Sequence, residues 1–499
     1  MGADHQITFF LRESAAPEPE RRVAALTGLG RRGGAEHVPV LTGAAADPEP
    51  RVRAAAARAL GRLGIPEAGR EVLPPLMGDA DPRVRSRACV AATRLGLDGP
   101  PVVEALARRL SDPDRHVRIV ALEGLAALGV PGDARALAAL LGDPDSAVWG
   151  RARTLLYVCR GDEDVRAEVI RTAREGAGAA RARALEELPR QCIEPLLDAL
   201  LDGLRHPFPQ VRVQAARRLS DVERPQVKLA LTAALRTERD PEVAAVLLRD
   251  LGDRTDGGLT DTAVRWLRDP VAGPPAARML GAVGTDEAAT RLRTALADRT
   301  VPARTRAACA TAIGAGGRWD AVWLLLPLLD DADDDLRAGV LDGLEHLVEN
   351  GLRWWERHVV ARVLTSHLET DTRHVWRTRN ALRGLTQALP AVRRLADTTD
   401  SGDVRAAALS LLDGDEAADE HVRQDVRRFL RGLDDPYEPV RYEAVLGLRR
   451  RVDVGGSWPP GAEHARDRLT ALTGDPSHRL REAATGLLTA LGTGPSGPE

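Results

Sequence analysis

Aromatic residues are scarce in this chain: phenylalanine, tyrosine and tryptophan make up 3% of its 499 residues. Strands favour aromatic and β-branched side chains, whereas alanine and leucine, which dominate the apolar residues here, favour helices. Lysine is nearly absent, since Lys228 is the single one and arginine supplies the rest of the positive charge. This bias, with abundant alanine, glycine and proline, is typical of a GC-rich bacterial genome. The net charge of −3 gives the chain as a whole no attraction to nucleic acid or to an anionic membrane.

The few cysteines are far apart, and none forms a Cys-x-x-Cys pair. We expect them to be small buried apolar residues in a reducing compartment. They are Cys89, Cys159, Cys192 and Cys309. No apolar run approaches the length of about 18 residues that suggests a membrane-spanning helix, and no signal peptide is recognisable. These features predict a cytoplasmic protein.

Motifs of catalysis and metal binding are also missing. The sequence has no HExxH pattern, no P-loop and no glycine-rich elbow around a nucleophile. His367 and His374 are separated by "ETDT", a predicted turn. The acidic run "DDADDDLR", Asp330 to Arg337, does not follow the spacing of a calcium-binding EF-hand loop, which favours a solvated turn with helix caps. We therefore expect no catalytic residues, no metal and no cofactor.

In place of such motifs, one phrase recurs along the chain. It reads "DPEPRVRAAAARALGRLG" from Asp47, "DPRVRSRACVAATRLG" from Asp81 and "DPDRHVRIVALEGLAALG" from Asp112. Most copies follow one another at 29 to 33 residues, a period that signals a solenoid. About fifteen copies are recognised by the residue before the recurrent arginine: Val23, Val52, Val84, Val117, Val148, Arg181, Val211, Val243, Ala276, Thr305, Leu336, Val375, Val404, Val440 and Leu480.

One copy shows how a unit would fold. "PVVEALARRL", from Pro101, places apolar residues on one helical face, and "RHVRIVALEGLAALG" does the same after the "SDPD" break. We expect Asp112 to be the N-cap of this second helix, Pro113 its first residue and Gly129 its end. Neither helix can bury its apolar face alone, so neighbouring pairs must stack.

A helix pair with Asp-Pro in its turn, Val-Arg a few residues later and an alanine- and leucine-rich helix ending in glycine resembles the HEAT repeat. The short period is similar to the compact variant of phycobilisome-lyase-type bacterial proteins. The resemblance implies an all-α, right-handed superhelix of about fifteen antiparallel helix pairs. We expect a capping segment at residues 1–16, a continuous array at 17–492 that is irregular at 337–375, and a disordered tail at 493–499.

In HEAT repeats the recurrent aspartate and arginine are structural. The resemblance implies that they form a ladder along the stack, with each exposed rung contributing at most about 1 kcal/mol. The expected pairs are Asp47 with Arg53, Asp81 with Arg85 and Asp112 with Arg118. The phrase would then set the register of the repeats and would not be a chemical site.

Deviations from the repeat are more informative about function. Trp149 and Trp376 replace the recurrent arginine, and five of the eight tryptophans lie between residues 319 and 376. Tryptophan and arginine are enriched at interface hot spots, although a thicker core at a change of curvature would also explain them. The predicted partner site consists of Trp319, Trp323, Arg353, Trp354, Trp355, Arg357, Trp376 and Arg377.

These features predict a non-catalytic scaffold that binds a protein or peptide in the concave groove of the solenoid. The alternative is nucleic-acid binding or DNA repair, because HEAT-like DNA glycosylases are also short-repeat solenoids with arginine-lined concave faces. The second helices here have arginines, although carboxylates balance them over the whole chain. They are Arg58, Arg62, Arg87, Arg94, Arg153, Arg217 and Arg218. Bilin lyase activity is a further family association, which no residue here supports.

Overall fold

A computed structural model describes residues 3–189, 193–252, 258–318, 320–412, 419–452, 458 and 462–492. Over these residues the chain is all helical, with 31 α-helices and no strand, so the all-α prediction is confirmed. The chain divides into two compact units, Met1–Ala234 and Leu235–Glu499. The predicted tail at 493–499 and Cys192 lie outside the described residues.

Unit 1 consists of helix pairs in which a first helix packs against a second. Its helices are α1 Ala3–Glu13, α2 Pro19–Arg32, α3 Val38–Ala44, α4 Pro50–Leu63, α5 Pro66–Arg70, α6 Leu73–Leu76, α7 Pro82–Arg94, α8 Pro100–Arg109, α9 Arg115–Leu128, α10 Ala134–Ala139, α11 Ser146–Val158, α12 Glu163–Glu175, α13 Gly178–Glu187, α14 Leu197–Gly203 and α15 Pro209–Leu219. The pairs are α1–α2, α3–α4, α6–α7, α8–α9, α10–α11, α12–α13 and α14–α15. The next helix, α16 Pro225–Thr237, crosses the boundary between the units.

Unit 2 has the same organisation. Its helices are α17 Pro241–Leu251, α18 Thr260–Trp266, α19 Gly273–Val283, α20 Asp286–Ala297, α21 Ala303–Ala315, α22 Ala321–Leu325, α23 Asp334–Asn350, α24 Trp354–Thr370, α25 Val375–Leu382, α26 Leu389–Thr398, α27 Gly402–Leu411, α28 Asp419–Gly432, α29 Glu438–Arg450, α30 Arg466–Leu472 and α31 His478–Gly492. After α17, the pairs run from α18–α19 to α30–α31. With α16 and α17, the pairs of the two units agree with the predicted number of about fifteen.

Short 3-10 helices extend or precede several first helices. They are Ala35–His37, Leu140–Gly142, Glu194–Leu196, Leu326–Asp330, Thr386–Ala388 and Glu463–Ala465. The long step predicted at 337–375 has a simple form, because α23 and α24 have 17 residues each and are the longest helices described. The extra residues lengthen α23 and α24, which belong to successive repeats, and do not form a separate element.

The turn before α9 differs in one detail from the prediction. Asp114, and not Asp112, is the N-cap of α9, where its carboxylate accepts the backbone N–H groups of His116 and Val117. The helix begins at Arg115, so Pro113 precedes it and the predicted N-cap was wrong. The predicted end is confirmed: Gly129 adopts a left-handed conformation with φ of 69°, which a side chain would disfavour.

Second helices pack on one another along each unit, in the order α2, α4, α7 and α9 at the start of unit 1. Small residues permit a close approach: a Cβ atom on Gly61 would lie 2.8 Å from Cα of Ala91 in the next repeat. Leucines such as Leu60 and Leu125 are fully buried between the two layers. Hydrophobic burial between successive pairs therefore builds the core, as expected for stacked repeats.

The described cysteines are buried and free, as the sequence predicted. They are Cys89, Cys159 and Cys309. Burial raises the pKa of the Cys89 thiol to about 12, so it stays protonated and unreactive at neutral pH. None of the described helices combines the length and the apolar character that crossing a bilayer requires.

Candidate functional site

The recurrent arginine forms an ion pair with the following repeat. Arg53 donates from Nε and Nη2 to the two carboxylate oxygens of Asp79, at 2.7 and 2.8 Å. Its Nη1 donates to the carbonyl oxygens of Asp47 and Pro48 in its own turn, at 2.9 and 3.0 Å. One guanidinium thus holds its own turn and joins it to the next one. This bidentate geometry is specific to arginine.

The same arrangement recurs in both units. The described rungs of this inter-repeat ladder include Arg22–Asp47, Arg53–Asp79, Arg85–Asp112, Arg118–Asp143, Arg337–Asp371, Arg405–Asp435 and Arg441–Asp475. The partners lie 25 to 34 residues apart in sequence. Each of these arginines also donates from Nη1 to carbonyls of its own turn.

The expected pairing of each arginine with an aspartate of its own repeat is therefore wrong. Arg53 and Arg118 meet Asp47 and Asp112 only through backbone carbonyls, and the Asp81 carboxylate caps α7 by accepting the Arg83 N–H. Within a repeat, the guanidinium already donates to the turn carbonyls, so its remaining N–H groups face the next repeat.

The ladder rungs are also more buried than the sequence suggested. The side chains of Arg85 and Asp112 are 9% and 1% exposed. Removing one partner of such a pair leaves the other charge uncompensated, which costs about 3–5 kcal/mol, whereas an exposed pair contributes about 1 kcal/mol or less. The ladder therefore fixes the register of neighbouring repeats and is a structural feature.

Trp149 shows how the ladder tolerates the loss of its arginine. The guanidinium carbon of Arg183, on α13, lies 4.3 Å from the centre of the Trp149 indole. Arg183 also donates to the carbonyl oxygens of Leu141 and Asp143, at 2.6 and 3.3 Å, in the turn before α11. An arginine from a following helix thus replaces the missing turn contacts, and Trp149 packs beneath it.

The predicted partner site contains one compact cluster, at the start of α24. Trp354 is 71% exposed, and its ring packs edge-to-face on Trp355 with centroids 5.9 Å apart. The Arg353 guanidinium lies 5.4 Å from the Trp355 ring centre. Glu356, which is buried, accepts the backbone N–H of Arg353 at 2.9 Å and fixes the start of the helix. Arg357 donates to the Leu352 carbonyl, so it supports the preceding loop.

Trp323 lies on the neighbouring first helix, α22, and is also exposed. The helix α22 packs against α23 and α24 packs against α25, so both are first helices. Trp354 and Trp355 begin α24, whereas Trp323 is the middle residue of the short helix α22. We call Trp323, Trp354 and Trp355 the tryptophan surface. Trp319, predicted as part of the site, lies outside the described residues.

Trp376 and Arg377 lie elsewhere. They are on α25, a second helix, beyond the carboxyl-terminal end of α24. A helix of 17 residues is roughly 25 Å long, so this separates Trp376 from Trp354 by about that distance. Arg377 forms an ion pair with Asp342 of α23. The structure therefore divides the predicted set between two layers.

Two histidines near the end of α24 contact a partly buried carboxylate. Asp371 Oδ2 lies 3.0 Å from Nδ1 of His374, 3.3 Å from Nε2 of His367 and 3.3 Å from Nε of Arg337. Burial would raise the pKa of Asp371, but hydrogen bonds from His374 and from the Arg373 N–H outweigh it and lower that pKa to about 2. In the part of the chain that the structure describes, no group of three or more metal-ligating side chains could hold a metal ion.

Comparison with known proteins supports the fold. The family model of HEAT repeats matches residues 9–91 and 70–156. Importin beta in a polyethylene glycol condition has a TM-score of 0.62 at 12% identity, covering 98% of this chain and 82% of that chain. Importin beta in an ammonium sulfate condition has a TM-score of 0.56 at 14% identity, covering 97% and 77%.

Kap95p in its complex with RanGDP has a TM-score of 0.53 at 12% identity, covering 97% of this chain and 75% of that chain. No curated protein is significantly similar to the sequence. At such low identities the solved structures establish the fold alone. The family model of HEAT repeats thus matches residues 9–156, and the described residues have the same all-helical fold as these solved structures.

Proposed function

We propose that this protein is a non-catalytic scaffold that binds a protein or peptide partner, with the tryptophan surface as the anchor. The observation that supports this is the exposure of three indoles on two neighbouring first helices of a fold otherwise poor in aromatic residues. Tryptophan buries a large area on binding at a small cost in side-chain entropy, and it dominates interface hot spots.

The proposed anchor is smaller than the site that the sequence predicted. The sequence predicted one site from Trp319 to Trp376 in a concave groove. The proposal here places the anchor on first helices at the start of α24 and leaves Trp376 outside it. The Arg353 guanidinium over the Trp355 ring adds a cation beside the indoles, an arrangement suited to a partner with both apolar and acidic side chains.

Structures of the same fold act as protein-binding scaffolds. Kap95p binds RanGDP, and Kap95 is found in a complex with Nup1. These partners belong to those proteins, and they support here only the general use of a stacked helical surface to bind other proteins.

The experiment compares affinity purifications from the native host with the wild type and with the Trp354→Ala/Trp355→Ala variant. Trp376→Ala is the matched control, because it removes an exposed indole of the other layer. We expect partners that the wild type and the control recover equally and the double variant loses, with the thermal midpoint of all three unchanged. Equal recovery by all three would remove the tryptophan surface as the anchor.

A further inference from the structure

Five arginines lie together on three successive second helices in unit 1. Arg31 is on α2, Arg58 and Arg62 are on α4, and Arg87 and Arg94 are on α7. We call them the arginine cluster. Arg31, Arg62 and Arg94 each lie nine residues after a ladder arginine, so they occupy the same position in successive repeats. They therefore form one row across the stack.

The arginine cluster has no internal counter-charge. None of its five members lies within ion-pairing distance of a carboxylate among the described residues, in contrast to the ladder arginines of the same helices. Nη1 of Arg62 is shielded from solvent and has no hydrogen-bond partner among the residues that the structure describes. The charge of Arg58 lowers the pKa of Arg62, and burial and the charges of Arg31, Arg94 and Arg87 add to this effect. Like charges this close repel one another, so the cluster destabilises the free protein.

A groove runs beside the cluster over the same helices. Arg58 and Arg87 line it, together with small side chains such as Ala54, Ala55 and Ser86. Its volume is about 820 Å³. Small residues beneath charged ones leave room for a chain to lie across the helices with its side chains against the guanidinium groups.

We propose that the arginine cluster binds an acidic peptide segment of a partner protein through its carboxylates. Paired guanidinium and carboxylate groups form bidentate, charge-assisted hydrogen bonds. Three packed helices at about 8–10 Å spacing give a row of about 20 Å, which matches about six residues of extended chain. The expected ligand is therefore a short segment rich in glutamate or aspartate.

Acidic residues around the row favour a peptide over nucleic acid. In the next repeat, the equivalent of Arg94 is Ala127, and α9 has the exposed, acidic Glu123. Asp114, the N-cap of α9, lines the groove at this same end, and Glu20 of α2 lines it as well. A duplex needs an extended positive surface, and single strands use exposed aromatic platforms, whereas the groove lining includes no phenylalanine, tyrosine or tryptophan. The positive charge is therefore confined to a small patch on α2, α4 and α7.

This site lies in unit 1 and on second helices, whereas the tryptophan surface lies in unit 2 and on first helices. The inference thus goes beyond the proposed function, and either can fail while the other stands.

The test measures fluorescence anisotropy of a labelled hexaglutamate peptide against the full chain, with hexaglutamine as the neutral probe. The variant Arg31→Ala/Arg62→Ala/Arg94→Ala removes the row. The control Arg268→Ala/Arg304→Ala/Arg373→Ala removes the same charge from exposed arginines of unit 2. We expect hexaglutamate binding that weakens at least about tenfold in the row variant, remains in the control, and falls as salt rises from about 50 to about 200 mM.

Three outcomes would overturn the proposal. One is no binding of hexaglutamate at low salt, and another is equal loss in the row variant and the control. The third is a duplex DNA probe that binds more tightly than the peptide and is lost in the row variant, which would reassign the cluster to nucleic acid. Relief of repulsion predicts that the row variant has a thermal midpoint at or above that of the wild type. Such a midpoint shows that lost binding does not reflect unfolding.

Discussion

Replacing Arg85 with alanine tests whether the ladder rungs stabilise the stack as buried ion pairs. In the native protein Arg85 donates to both carboxylate oxygens of Asp112, at 2.8 and 2.7 Å. It also donates to the carbonyl oxygens of Asp79 and Ala80, at 2.9 and 3.0 Å. The substitution removes all four hydrogen bonds at once, at a site that water reaches poorly.

The magnitude follows from what remains around Asp112. Its carboxylate keeps the backbone N–H of Asp114 at 3.0 Å and the Arg109 guanidinium at 3.5 Å. Removal of one partner of a buried pair costs about 3–5 kcal/mol, and the remaining contacts place the expected loss near the lower limit, at about 3 kcal/mol. The two turn carbonyls lose their donor as well, which adds to the loss in the same direction.

The assay is native-state hydrogen exchange, because a stack of repeats need not unfold in one step. Amides of α7 and α9 report the free energy of local opening on either side of the substituted rung. Arg58→Ala is the matched control, since Arg58 lies on the neighbouring second helix and belongs to no rung. We expect a change within about 0.5 kcal/mol for this control.

A loss below about 1 kcal/mol for Arg85→Ala, equal to that of the control, would refute the conclusion that the rung acts as a buried pair. The double variant Arg85→Met/Asp112→Leu separates two causes. If the unpaired Asp112 charge is what destabilises, the apolar pair recovers most of the loss, as replacements of buried ion pairs often do. If the turn carbonyls dominate, the double variant stays as unstable as Arg85→Ala.

Two further predictions concern packing and pH. Gly61→Ala should destabilise the protein by about 1–3 kcal/mol, because its Cβ atom would meet Ala91 at 2.8 Å. The control Gly43→Ala should stabilise the protein or be neutral, since no atom lies within 4 Å of the added Cβ atom. Chemical denaturation compares the free energies of unfolding of the two variants. Burial lowers the pKa of His367, so below the ordinary value of 6.5 the unfolded chain binds a proton that the folded one does not. Stability should therefore fall as the pH drops below about 6.5, and His367→Gln should flatten the midpoint-against-pH curve; parallel curves would contradict this.

Much of the fold was predictable because its signals are local. The period, the Asp-Pro turns and the end of α9 at Gly129 follow from capping, from the apolar spacing along each helix and from the ease with which glycine adopts a left-handed conformation. The N-cap of α9 was misplaced by two residues because Asp112 and Asp114 are equally good caps in sequence. The Asp112 carboxylate instead pairs with Arg85 of the preceding repeat.

The candidate sites were less predictable because they depend on distances between helices. The sequence placed Trp354 and Trp376 in one group since they are close along the chain, but the length of α24 separates them. It also named four of the five clustered arginines without distinguishing them from other second-helix arginines, and it missed Arg31. No sequence pattern shows which guanidinium lacks a carboxylate.

By itself, the sequence determined the all-helical class, the approximate number of repeats and the end of α9 at Gly129, because each depends on residues within a few turns of one another. Only the tertiary structure decided which aspartate meets which arginine, which layer presents each tryptophan, and which arginines remain without counter-charge. The physical reason is that these contacts join residues about thirty positions apart, across neighbouring repeats, and the packing of one pair on the next sets their distances.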